Sequence, residues 1–235
     1  SSDITALYDA ATEGLGSEVI TVSDATINAD TLNTINGYTD QRVTVSATTI
    51  EGEVADIATA LAANNAAAAE GDDALTGLED AEVTVTDTSV DAATLNTVNA
   101  ATTGLVTVSS ATTLTGDQAD VVIALTANDD AAVAGDDALI GLSDLDVELD
   151  DETNTSVEIR AVIDLTSGSV TATAAENDLT TLLDAAGLTG TGHAITVTVT
   201  DAAVSASDMN DLNAITTVDI ITSDDVATIT GSAAN

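Results

Sequence analysis

The sequence predicts an α/β chain, a right-handed repeat solenoid with parallel strands and short helices. Three observations lead there. A ten-residue phrase occurs three times, as INADTLNTIN at 27–36, VDAATLNTVN at 90–99 and VSASDMNDLN at 204–213. Each copy follows a β-like run, VITVSDAT, EVTVTDTS or ITVTVTDAA. Hydrophobic residues make up 44% of the chain, yet Phe and Trp are absent and Tyr8 and Tyr38 are the only aromatics. Thin stacked layers of Val, Ile, Leu, Ala and Thr suit that composition better than one broad globular core, where large aromatic rings usually pack. Parallel strands need crossover connections, which are right-handed almost without exception. A parallel β-helix, with some of these helices as loops, is the alternative architecture, and a doubly wound sheet is a third.

Residues 1–18 read as the tail of a preceding repeat, with Ile4 and Leu7 facing inward from a short helix. Repeat 1 covers 19–81. Ile20 to Val22 open it as a strand with the period-two alternation of a half-buried ribbon. Asn28, like its counterparts Asp91 and Ser205, stands where a helix N-cap belongs, its side-chain oxygen able to accept a free first-turn amide. Leu32 and Ile35 share a helical face, and Asn36-Gly37 predicts a left-handed stop. A second strand over 42–47 and a second helix over 53–65 follow, with Val54, Ile57 and Leu61 inward, and GDDALTGL at 71–78 closes the unit. Repeat 2, 82–145, restates this with one extra Ser in VTVSS at 106–110, a helix over 118–128, and GDDALIGL at 135–142.

The unit at 146–193 departs from the pattern. DDETNTS at 150–156 replaces the helix phrase, VEIRAVIDL at 157–165 reads as a longer strand, and ENDLTTLLDAAG at 176–187 reads as the clearest amphipathic helix. Residues 194–235 form a partial repeat, with VDIITS at 218–223 as its second strand. The chain opens and closes in mid-pattern, as a segment of something longer would.

Forty-one acids stand against two bases, Arg42 and Arg160. A net charge of −39 repels phosphates, which excludes nucleic acid as a partner and disfavours anionic lipid. The same field attracts cations and needs salt or divalent ions to screen its self-repulsion. The absence of Cys removes any disulfide framework or thiolate metal site. No apolar run approaches the ~18 residues of a membrane span, and no signal peptide is read in the residues given.

Candidate chemistry lies in the acids. GDDALTGL and GDDALIGL resemble a single turn of the glycine- and aspartate-rich repeat of calcium-binding RTX β-rolls. That resemblance implies Asp73 and Asp137 as oxygen ligands, with Asp72 and Asp136 beside them and Leu75 and Leu139 pointing inward. Asp144, Asp146, Asp150, Asp151 and Glu152 form a second acidic cluster, and hard carboxylate oxygens are what Ca²⁺ takes. A structural Ca²⁺ is the cofactor these residues suggest, against a reading in which they are solvated surface. The Asn columns 33/96/210 and 36/99/213 suit backbone capping better than ligand binding. His193, Asp201 and Ser205 contain the residue types of a hydrolytic triad, but presence without geometry carries no catalysis. Paired carboxylates could cleave extracellular glycans, yet aromatic platforms for sugars are lacking. Asn154-Thr155-Ser156 is a formal glycosylation acceptor.

The stretch VTVTDTSVDAATLNTVNAATTGLVTVSSATTLTG at 83–116 resembles repeats of giant secreted bacterial cell-surface proteins, of the kind associated with swimming in marine cyanobacteria. The resemblance covers 19–145 and part of 194–235. It implies an extracellular, cell-surface location and a scaffold, adhesion or motility role, with no catalytic residue. A subunit that stacks end to end into a filament or surface layer is the alternative. Expected partners are cations, other copies or neighbouring repeats, and components of the cell surface or extracellular matrix.

Overall fold

A computed structural model describes residues 1–10, 14–69, 71–129, 131–136, 138–223 and 226–232. They form an α/β protein in which short parallel strands, gathered in several sheets, alternate with short helices. The chain makes two compact units, Ser1–Ala111 with Ala127–Gly141, and Thr112–Thr126 with Leu142–Asn235.

The first unit begins with α1 (Ser2–Asp9), β1 (Ile20–Val22), β2 (Thr26–Asn28), α2 (Ala29–Asn36), β3 (Val43–Val45), β4 (Thr49–Gly52) and α3 (Val54–Ala63). It continues through β5 (Leu75–Thr76), β6 (Glu82–Val85), β7 (Ser89–Asp91), α4 (Ala92–Ala101) and β8 (Val106–Val108). Next come β9 (Thr113–Gly116) and nearly all of α5 (Gln118–Ala127), which belong to the second unit, and then β10 (Leu139–Ile140) of the first. The second unit resumes with β11 (Asp146–Leu149), α6 (Ser156–Ile163), β12 (Val170–Thr173), α7 (Leu179–Leu182) and β13 (Ala194–Thr196). It ends with β14 (Thr198–Val199), β15 (Ala203–Ser205), α8 (Ala206–Ile215), β16 (Ile221–Thr222) and β17 (Thr228–Thr230).

Like residues align across the sheets. Ile20, Val43 and Leu75 form one column across β1-β3-β5. Ile27, Ile50, Val83, Val106 and Leu139 form another across β2-β4-β6-β8-β10. In the second unit Leu114, Val147 and Val170 align across β9, β11 and β12. All these side chains are buried, so each strand offers one apolar face to the core while alternate residues face away.

The chain returns beside itself after 23 residues where no GDDAL turn intervenes, as from Ile20 to Val43. Where one does, the step is longer, as from Ile50 to Val83. The inserted turn supplies an extra strand: β5 ends one sheet and β10 ends the next. As a result β6, the opening strand of repeat 2, pairs with β4, the second strand of repeat 1, and not with β3. The three copies of the phrase thus begin on strands of three different sheets, β2, β7 and β15.

The predicted N-caps are in place. Asn28 accepts from the Thr31 amide at 3.2 Å, Asp91 from Thr94 at 2.8 Å and Ser205 from Asp208 at 3.5 Å. Leu32, Ile35, Ile57 and Leu61 are buried, the i, i+3 and i+4 spacing that turns one helical stripe to the core.

Five expectations fail. Gly37 ends α2 in the right-handed region, at φ −71° and ψ −9°, because the turn continues by hydrogen bonds from Gly37 and Tyr38 to Asn33 and Ile35. The Asn stop also fails elsewhere, since α4 runs past Asn99 and α8 past Asn213. Residues 157–165 are not a strand: α6 occupies 156–163, started by a capping box between Thr155 and Glu158. Its buried residues, Ile159 and Val162, follow a helical period, while Val157 is exposed. The predicted long helix at 176–187 shrinks to the single turn of α7, and an added Cβ at Gly187 would meet the Leu182 carbonyl at 2.4 Å, which holds the chain after α7 against it. Finally, α1 buries no residue, Leu7 being 49% exposed and Ile4 half-buried.

Gly77 and Gly141 sit at φ +96° and +93°, where an added Cβ would lie 2.3 Å from the Val45 carbonyl oxygen and 2.2 Å from that of Val108. Strain and collision act together at these positions. Gly77→Ala is expected to cost roughly 2–4 kcal/mol, read as a lower denaturant midpoint. Gly14→Ala, with open space around it, should cost clearly less, and equal losses would refute this account.

Candidate functional site

The sequence directs attention to the acids, and the structure shows what each carboxylate touches. The GDDAL turns come first. Asp72 accepts from the Ala69 amide at 2.6 Å, and Asp136 from the Val133 amide at 2.8 Å. Each of these acids also donates its own amide back to the same residue's carbonyl, closing a compact local turn. The turn is pinned to the helix before it, where Asn64 accepts from Leu78 N–H and donates to Glu79. Leu75 and Leu139, the residues the resemblance turns inward, are both buried. Asp73 is exposed beside its turn, and Asp137 lies outside the described residues.

The second cluster does not converge. Asp144, Asp150 and Glu152 are exposed, and Asp146 faces out of β11 to accept the Ser169 amide at 2.7 Å. Asp151 turns the other way and accepts the Gln118 amide at 2.8 Å and the Asn154 side-chain amide at 2.9 Å. Among the described residues no group of three or more His, Cys, Asp or Glu is arranged to hold a metal ion.

Asp151 exposes a rule that sequence reading missed. Gln118 is the first residue of α5, so the carboxylate caps a helix 33 residues behind it. Asp87 does the same for Val54 of α3 at 2.8 Å, Glu176 for Ser156 of α6 at 2.8 Å and Asp201 for Leu179 of α7 at 2.8 Å. A carboxylate at a helix N-terminus satisfies an orphan amide and meets the positive end of the helix dipole. Three residues after each Asp comes a buried residue, Val90, Asn154 or Val204, and one further on stands the next helix's own cap, Asp91, Thr155 or Ser205. The stretches TDTSVD, DDETNT and TDAAVS are therefore one phrase, and residues 150–156 restate it with Asn in the buried place.

A second recurring group closes the other helix ends. The hydroxyls of Thr39, Thr102, Thr166 and Thr216 donate to the carbonyls of Glu18, Ala81, Leu145 and Ile195 at 2.7–2.8 Å. Each also accepts from the amide two residues ahead, at 3.0–3.2 Å.

Asp151 lines a cleft of about 290 Å³ with Asp117, Gln118, Asn154 and Glu158. The Asp151 charge beside it, with partial burial and the charges of Asp120 and Asp150, raises the Asp117 carboxyl above its ordinary value. The Gln118 amide and then the Asn154 amide hold Asp151 below its own. Asn154 is 3% exposed, and its Oδ1 has no hydrogen-bond partner.

The triad residue types are not assembled. Asp201 caps α7, Ser205 caps α8, and His193 is buried, its Nδ1 accepting the Val170 amide at 3.2 Å. Burial lowers the pKa of His193. Of the Asn columns, Asn33 donates to the Asp56 carbonyl of the next helix at 2.9 Å, as a structural role requires.

Comparison with protein-family models, with curated proteins and with solved structures returned no match to this chain.

Two outcomes follow. Asn154→Val places at this position the residue found at 90 and 204, and should raise stability by about 1 kcal/mol by removing a buried unsatisfied oxygen. A loss of stability in denaturant unfolding would mean that the Asn154 bond to Asp151 dominates. Because the folded state lowers the His193 pKa, the unfolded chain binds the proton first. Stability is full above the ordinary imidazole range near ~6.5 and is lost as pH falls through it toward the folded value. His193→Gln, measured by denaturant midpoints across that interval, should flatten this slope relative to the parent chain.

Proposed function

We propose that this chain is a structural and interaction repeat segment of a large extracellular bacterial surface protein, a right-handed solenoid forming an acidic rod screened by cations. The observation that carries the reading is the in-register parallel stacking of buried Val, Ile and Leu columns, extended by each strand–helix segment. Such an architecture grows by addition and spaces whatever it bears, which is what a scaffold, adhesin or motility component needs. The carboxylates whose contacts are described mostly serve backbone amides, which favours a structural role over an enzymatic one.

The charge of −39 supports a salty, extracellular setting, as does the resemblance of 83–116 to repeats of secreted surface proteins. No helix among the described residues is long and apolar enough to cross a membrane. Calcium fits this reading as a screening ion on the exposed acids Asp73, Asp144, Asp150 and Glu152, beside monovalent salt. Nucleic acid is excluded as a partner by charge; cell-surface or matrix components and further copies of the chain remain the partners proposed.

The test is small-angle X-ray scattering across a salt and calcium series. A globule of this length has a radius of gyration of roughly 18 Å. The rod reading expects a clearly larger value with the linear cross-section region of an elongated particle, retained in high salt. A value near that of the globule at every salt concentration would overturn it.

A further inference from the structure

At the start of α5 the recurring capping arrangement changes in a way that its structural duty does not require. Three helices share the arrangement. An acid stands just before the helix, a second acid from the following segment caps its first amide, and three residues later a side chain is buried. The sets are Glu53, Asp87 and Val90 at α3, Asp117, Asp151 and Asn154 at α5, and Asp178, Asp201 and Val204 at α7. Valine fills the buried place in two of them. At α5 it is an asparagine, 3% exposed.

Asn154 is anchored by its backbone, its amide donating to the Thr173 carbonyl at 2.8 Å and its own carbonyl accepting from the Ala175 amide at 2.7 Å. The side-chain Nδ2 donates to Asp151 at 2.9 Å, while Oδ1 of the same planar amide is buried and has no partner. An unpaired buried oxygen is a cost, and the valines at 90 and 204 show that the fold does not need it.

The surroundings indicate which partner that oxygen suits. Asn154 lines the cleft together with Asp117, Gln118, Asp151 and Glu158. Asp117 and Asp151 stand close enough that the charge of Asp151 is the chief influence raising the Asp117 carboxyl. Facing carboxylates are relieved by a proton or by a cation. The positive end of α5 offsets only about half an elementary charge. The basic groups of the chain are engaged elsewhere: Arg42 donates to the Ala68 carbonyl, Arg160 to Asp164 and the Ala185 carbonyl, and the terminal ammonium to Asp24.

We propose that this cleft binds one Ca²⁺ ion, with a carboxylate oxygen of Asp117, one of Asp151 and Oδ1 of Asn154 as protein ligands and water completing the shell. Donors that are all oxygen select a hard cation. Because Oδ1 is shielded from water, the ion must shed waters to reach it, and a bare Ca²⁺ is smaller than a water molecule. Mg²⁺ dehydrates reluctantly and demands an octahedron, whereas Ca²⁺ accepts an irregular set. The site needs two carboxylates and an amide, and so does not depend on a grouping of three acids, which the described residues lack. All three ligands belong to the second unit, and the bound ion ties the start of α5 to the start of α6. The site does not rest on the rod reading, since scattering tests the rod and ion titration tests the cleft.

The experiment is isothermal titration calorimetry of the full chain with CaCl₂ in ~0.15 M NaCl, where a Debye length of about 8 Å mutes the general field. The expected result is one saturable site per chain with a dissociation constant on the order of 10⁻⁴–10⁻³ M. Asp117→Asn and Asn154→Val should each weaken it roughly tenfold or more. Asp144→Asn removes the same charge from an exposed acid outside the cleft and should leave binding unchanged. Asn154→Val is expected to fold more stably than the parent chain, so its weaker binding would not reflect unfolding, and circular dichroism checks the fold of Asp117→Asn. A titration without a saturable site, or one that Asp144→Asn weakens as much as the cleft variants do, shows screening only and overturns the proposal. So does undiminished affinity in either cleft variant.

Discussion

The first free amide of each helix is the point on which this structure turns. Helices of four to ten residues do not persist alone in water. Each begins with backbone N–H groups that have no intrahelical partner. Here α2, α4 and α8 are met by their own caps, α3 and α5 by a carboxylate from the following segment, and α6 and α7 by both. Asp87, Asp151, Glu176 and Asp201 supply the carboxylate bonds. In a chain with two basic side chains, helix N-termini are the most numerous positive partners available to 41 acids. Part of the charge that makes the surface so acidic therefore holds the stack together.

The same arrangement fixes register. Asp87, Asp151 and Asp201 each stand four residues before the cap of the next helix, and Glu176 two before Asp178, so placing one helix places the next. The threonine bonds at the other helix ends complete the lock. Thr102 spans from its own turn to the Ala81 carbonyl while accepting from Gly104, and Thr216 spans to the Ile195 carbonyl while accepting from the Ile195 and Val218 amides. A strand pairing that slipped by one residue would lose both ends together and turn the buried columns outward.

The sequence made the class of structure legible because its apolar periodicities are strong and its N-caps stereotyped. It misled where one residue type serves two ends. VEIRAVI is rich in β-branched residues, which favour strands, yet its buried members are Ile159 and Val162. The capping box at Thr155 and Glu158 starts it as a helix. Asn99 and Asn213 looked like stops because they recur, but the helices end later, at extended Thr102 and Thr216. As for the candidate acids, sequence gives their identity and not the occupancy of their oxygens. Asp72 and Asp136 each accept an amide of their own turn, from Ala69 and Val133, which sequence does not show. Only a structure separates a carboxylate spent on its own turn from one free for an ion.

Repetition in sequence is also not repetition in space, and this bears on where function can lie. Ile20 and Val83 are equivalent in the 63-residue repeat but belong to different sheets, because the GDDAL insertion adds β5 and moves the chain on. The first two copies of the phrase begin on strands of different sheets, β2 and β7, yet their helices α2 and α4 both pack on α3. The residues that distinguish one segment from another carry more information. Asn154 stands where its counterparts are apolar, and Ile229 is bare where Ile50 is covered. The repeated residues explain how the chain is built, and these exceptions show where one segment differs from the others.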